Sequence, residues 1–246
     1  MLLHGWAESL ICWGATVVDE LSTLYKVIAV DLRGHGYSDA PESGYDDSAN
    51  WAADVAAVLD AESAIDGAVL LGWSYGGLVI CDYLAEHGTA EVDGIVLVGA
   101  INGIGPGKAG GTTGAAMQAA IPGVFEESPG KAVRAFAAFG DANTGPDRGV
   151  DAQRLFGASL ATPPRVRKAL FVRTADHDEM LGSLDIPALI MHGTDDTVVD
   201  IASAKHAAEL IPDVTTSYWE GGKHGLFIED PRKFVAEVSE FIDALT

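Results

Sequence analysis

The sequence predicts an α/β fold: a mostly parallel sheet with helices on both faces, interrupted by a helical cap insertion. Three observations carry this. Runs such as Ala68-Val69-Leu70-Leu71 and Ile95-Val96-Leu97-Val98 are apolar throughout, without the alternation of a half-exposed strand, so both of their faces need cover. Segments with apolar residues at helical spacing lie between them. The length of 246 residues suits one such domain with an insertion and can bury a substantial core.

In chain order, Leu2-Leu3 ends a very short strand and runs into His4-Gly5-Trp6. Trp13 to Tyr25 is expected to be helical, with Val17, Leu21 and Leu24 on one face. Val27 to Val30 is a strand, and Asp31 to Asp39, with Gly34 and Gly36, a tight loop. Ser48 to Glu62 is a helix that Ser48 would cap, turning Trp51, Val55, Val58 and Leu59 inward. The strand at 68–71 then passes through Gly72-Trp73-Ser74-Tyr75-Gly76 into a helix closed by Gly88, and 94–99 forms the next strand.

Here the alternation stops. Asn102 to Thr113 is glycine-rich and aperiodic, and helical fragments follow at Ala115 to Ala120, Lys131 to Phe139, Ala152 to Leu160 and Pro164 to Thr174. No strand-like run occurs among them. Residues 103–183 are therefore expected to form a cap, being too apolar for a disordered linker, and residues 1–102 with 184–246 the core. The rhythm resumes with a strand at Ala188 to Met191, a helix from Ile201 to Ile211 and a strand from Thr215 to Trp219. The last helix runs from Pro231 to Leu245, with proline at its first turn.

Composition narrows the function. A net charge of −21 argues against nucleic acid or an anionic membrane as partner, since both need basic surface. No apolar run is long enough to span a bilayer. The opening Met1-Leu2-Leu3-His4-Gly5 lacks a basic region and cleavage site, which points to a cytoplasmic location. Cys12 and Cys81 form no disulfide framework, and Cys81 reads as a small buried residue of its helix. No metal or other cofactor is implied. His177, within Asp176-His177-Asp178-Glu179, has no second ligand cluster at suitable spacing and reads as a solvated helix start.

The chemistry concentrates at Ser74. A serine at a sharp strand-to-helix turn must hold a strained backbone, and residues two before and two after crowd the turn, so glycine is wanted at positions 72 and 76. The following helix points its N-terminal amides toward charge forming beside the hydroxyl. Such a nucleophile needs a base and an orienting acid. The strand at 188–191 leads to Asp195 and Asp196, and the strand at 215–219 leads to His224 between glycine-rich turns. The remaining histidines sit in turns, within helices or at strand ends less suited to reach Ser74.

On these residues the chain resembles the α/β-hydrolase superfamily, in its serine-nucleophile esterase, perhydrolase (non-haem haloperoxidase-like) and C–C hydrolase branch. The resemblance runs from His4-Gly5-Trp6 and the 31–39 loop through Gly72–Gly77 to Gly193–Asp196 and His224, while the cap carries no motif of it. It implies the triad Ser74, Asp196 and His224. Asp196 is preferred to Asp195 because the family pattern reads Gly, two residues, Asp, then a β-branched apolar segment. It further implies an oxyanion hole from the backbone N–H groups of Trp6 and Tyr75, with His4 orienting its loop. The implied reaction is hydrolysis of small carboxylic esters or lactones through an acyl-enzyme; C–C hydrolysis of a vinylogous diketone or perhydrolysis would use the same triad. The partner so implied is a small ester-like molecule, and the candidate pocket residues are Met117, Phe125, Phe136, Phe139 and Leu226. The family's sheet opens with two further strands before the one ending at His4, for which this sequence has no residues: either the fold tolerates a clipped sheet or the reading frame starts late. If clipped, the strand at Val27 to Val30 is expected at a sheet edge, with marginal stability or edge-mediated dimerisation as a consequence.

Overall fold

The computed structural model describes residues 1–63, 67–144 and 149–245. The core opens with β1 (Leu2–Leu3), a 3-10 turn (Leu10–Trp13), α1 (Gly14–Ser22), β2 (Ala29–Val30) and α2 (Ser48–Ala61). It continues through β3 (Ala68–Trp73), α3 (Tyr75–His87) and β4 (Val92–Val98). An intervening segment contains β5 (Gly103–Ile104), α4 (Ala115–Val124), α5 (Pro129–Thr144), α6 (Gly149–Ala161), α7 (Pro164–Val172), β6 (Ala175–Asp176) and α8 (Asp178–Gly182). The chain returns with β7 (Ala188–Gly193), α9 (Ile201–Leu210), β8 (Val214–Trp219), α10 (Leu226–Glu229) and α11 (Pro231–Asp243).

Six strands form one sheet in the order β2-β1-β3-β4-β7-β8, every neighbouring pair parallel. Successive residues of the central strands feed two separate cores. Leu70, Leu97 and Ile190 join Trp51, Val55, Leu59 and Leu78 on one face. Leu71, Val96 and Leu189 join Val17, Leu21, Phe234 and Val238 on the other. This is why those strands read as continuous apolar runs: a side chain on either face meets a helix. Among the described residues no helix is long and apolar enough to cross a membrane. Cys12 and Cys81 are both buried and unpaired.

Several expectations change. The first helix stops at Ser22, and Leu24 is 62% exposed rather than inward. The expected strand at Val27 to Val30 shrinks to its last two residues, at the edge of the sheet. Asp47, not Ser48, caps α2, its carboxylate accepting from the Ala49 N–H at 3.0 Å. The antiparallel pair β5-β6 was not foreseen, because two-residue strands carry no period.

Ser48 is instead occupied elsewhere. Its hydroxyl accepts from Arg173, whose guanidinium also donates to both carboxylate oxygens of Asp82 in α3, at 2.8 and 3.0 Å, and to the Tyr75 hydroxyl at 3.2 Å. His177 Nε2 lies 2.9 Å from Asp82 Oδ1. His177 is thus buried against α3 and not solvated, because its ring completes the ionic cluster that ties the segment after α7 to the core.

Candidate active site

Ser74 occupies the single-residue joint between β3 and α3, with φ 55° and ψ −116°, a region that ordinary side chains avoid. The surrounding backbone enforces this geometry. The Ser74 N–H donates to the Val98 carbonyl at 2.9 Å, and the Ser74 carbonyl accepts from Gly77 at 3.0 Å and Ile101 at 3.2 Å. A side chain at position 76 would overlap the Leu3 carbonyl, and one at position 72 would come within 2.6 Å of the Gly76 backbone. The turn closes only around these two glycines.

Asp196 follows β7 and is buried. Its Oδ1 accepts from the N–H groups of Val198 at 2.8 Å and Val199 at 3.0 Å. Its Oδ2 accepts from His224 Nδ1 at 2.7 Å, which leaves Nε2 as the acceptor nitrogen of that imidazole. Asp195 is exposed, 3.9 Å from Lys223 Nζ. His224 stands on the loop after β8; its carbonyl accepts from the Trp73 indole at 3.0 Å, and the two rings lie 5.2 Å apart. Ser74 and His224 line one small cavity, although their side chains form no direct hydrogen bond.

The loop that carries Trp6 is fixed from below by two neutral histidines. His4 Nε2 accepts from the Leu32 N–H at 3.0 Å while Nδ1 donates to the Gly5 carbonyl. His35 Nε2 accepts from the Ala7 N–H at 3.3 Å while Nδ1 donates to the Arg33 carbonyl. Burial lowers the pKa of both, His35 to about 4 and His4 well below the usual imidazole value. From above, the Trp6 indole donates to the Arg167 carbonyl of α7 at 3.0 Å and packs against Phe136, Phe171, Phe125 and Phe139. Neither the Trp6 nor the Tyr75 backbone N–H meets an acceptor among the described residues, and Tyr75 opens α3, where such N–H groups are left over.

Ser74 borders two cavities. The larger, about 310 Å³, is lined by Trp6, Tyr75, Ile101, Met117, Phe171 and Val198 among others. The smaller, about 10 Å³, is bounded by Trp73, Met117, Phe139, Asn143, His224 and Glu8. Of the expected pocket residues, Met117 and Phe139 therefore face Ser74. Phe125 and Phe136 pack on the Trp6 ring, behind both cavities. Leu226 is fully buried in the other core, with Trp13 and Phe227, because α10 turns it under the sheet.

Three side chains of the site escaped sequence reasoning. Trp73 is the unspecified second position of the elbow. His192, at the end of β7, donates from Nε2 to the Val199 carbonyl at 3.0 Å. Glu8 is 3% exposed and accepts from Ser159 Oγ at 2.9 Å; its only signal was a carboxylate in an apolar stretch. Among the described residues no group of three or more His, Cys, Asp or Glu could hold a metal ion.

The family model described as the alpha/beta hydrolase fold matches residues 1–231. A non-heme chloroperoxidase from Streptomyces lividans is 32% identical, covering 97% of this chain and 89% of its own length. A bifunctional esterase/perhydrolase from Acinetobacter calcoaceticus is 29% identical, covering 91% and 83%. The crystal structure of an esterase from Rhodococcus sp. superposes with a TM-score of 0.98 at 62% identity, covering 100% of this chain and 90% of that one.

Proposed function

The chain belongs to the α/β-hydrolase fold family, and from that membership we propose that it is a serine hydrolase of small carboxylic esters or lactones. Ser74 attacks the acyl carbon while His224 Nε2 takes its proton. Asp196 holds the imidazole in that tautomer and stabilises the imidazolium. The N–H groups of Trp6 and Tyr75 receive the oxyanion. His224 then returns its proton to the leaving alcohol, and water releases the acid. Residues 103–183 act as the cap over this pocket. The observation that carries the reading is the 2.7 Å contact between His224 and Asp196 on the cavity that Ser74 borders.

An apolar chamber of about 310 Å³ suits a short acyl chain better than a long lipid. Ser74→Ala and His224→Ala should each lower kcat on p-nitrophenyl acetate by roughly 10⁶. Turnover within about 100-fold of wild type in both variants would overturn the assignment. The chloroperoxidase and perhydrolase relatives favour one second reading, in which hydrogen peroxide replaces water as acyl acceptor and yields a peracid. Peracid formation from acetate or its esters, abolished in Ser74→Ala, is its test.

A further inference from the structure

Glu8 has no part in the triad, yet its carboxyl is buried on the small cavity that Ser74 and His224 share. One oxygen, Oε1, accepts from Ser159 Oγ; the other, Oε2, is buried without a hydrogen-bond partner among the described residues. A buried carboxyl oxygen left unmatched is costly, and native structures rarely tolerate one without a purpose. The cavity of about 10 Å³ matches the room that one water needs. The polar side chains that line it, Glu8, Ser74, Asn143 and His224, are the partners a water there would find.

We propose that Glu8 holds the water that deacylates the acyl-enzyme on Ser74. This rests on the serine-hydrolase reading above and adds the position of its second nucleophile. Burial pushes the Glu8 carboxyl well above the usual carboxylate range, against the Ser159 hydrogen bond and the nearby charge of Arg154. That shift favours the neutral carboxyl, whose O–H can donate to the water without setting a negative charge beside the forming oxyanion. The water donates one proton to His224 Nε2 and turns its free lone pair to the acyl carbon. The new C–O bond forms, the bond from carbon to Ser74 Oγ breaks, and the proton on His224 passes to Ser74 Oγ. The products are the free acid and the regenerated serine.

The test separates acylation from deacylation, with p-nitrophenyl acetate in rapid-mixing experiments and the acetyl adduct on Ser74 followed by mass spectrometry of quenched enzyme. Glu8→Leu should form the adduct within about 3-fold of the wild-type rate but release it at least about 10-fold more slowly, so that the adduct accumulates. Glu8→Gln, which keeps a donor in place, should restore release to within about 3-fold of wild type. Glu8→Asp keeps a carboxyl but withdraws it by one methylene; it should slow release too, and it decides the matter if Glu8→Leu does not fold. Unchanged release in both Glu8→Leu and Glu8→Asp, or equal slowing of acylation and release, overturns the role of Glu8. An adduct on another residue, or full turnover by Ser74→Ala, overturns the reading of the site itself.

Discussion

His192 Nε2 lies 3.3 Å from Asp196 Oδ2, the same oxygen that accepts from His224. With the Val198 and Val199 amides on Oδ1, the Asp196 carboxylate is aimed before any substrate arrives. Among the described residues the carboxylate of its neighbour Asp195 meets only Lys223, at 3.9 Å. Asp196→Asn should therefore lower kcat by about 10⁴ while Asp195→Asn changes it less than about 2-fold. Steady-state kinetics of the two variants checks the choice between them.

The elbow makes a steric prediction. Gly76→Ala would drive a methyl group into the Leu3 backbone, where neither side can yield cheaply. A loss of about 3 kcal/mol is expected in urea denaturation. Gly157, exposed in α6 with nothing near it, is the matched control. There alanine should raise stability by about 0.5–1 kcal/mol.

The buried ionic cluster makes another. Arg173→Met leaves Asp82 without its bidentate partner inside the protein, and a destabilisation of about 3–5 kcal/mol should follow. Replacing both, with Asp82→Leu added, should recover much of that loss, because two apolar residues leave no stranded charge. Chemical denaturation of the single and double variants measures it.

The histidines under Trp6 set a pH limb. His35 titrates near 4 in the fold and near 6.5 when unfolded, so between those values the unfolded chain binds the extra proton. Stability is therefore complete above pH 6.5 and falls by up to about 3 kcal/mol as pH drops toward 4. His4, whose ring is 5.0 Å away, adds in the same sense, and the Asp31 carboxylate opposes the shift of His35. Glu8 works in reverse: burial raises its pKa in the fold, so its contribution weakens as pH rises from the unfolded carboxyl value toward the folded one. His35→Gln should flatten the decline between pH 6.5 and 4 in denaturation midpoints.

What the sequence revealed follows from how each feature is encoded. The parallel sheet was legible because a strand covered on both faces must be apolar at every position, as Leu70 and Leu71 are. Ser74, Asp196 and His224 stood out because each sits at a strand end beside glycines that permit a sharp turn. The pocket was harder. Phe125, Phe136 and Leu226 are apolar whether they face a cavity or a core, and only the course of the chain at the end of α4, in α5 and in α10 distinguishes the two. Glu8 and Trp73 act through partners 151 residues away, a kind of proximity that local spacing does not carry.

Trp6 belongs to two structures at once. Its amide is one of the two proposed for the oxyanion, and its indole is tied to Arg167 in the helical segment. One hydrogen bond therefore couples the helical segment to the loop that carries the proposed oxyanion amide, so a change in the seat of α7 reaches that amide without touching the serine.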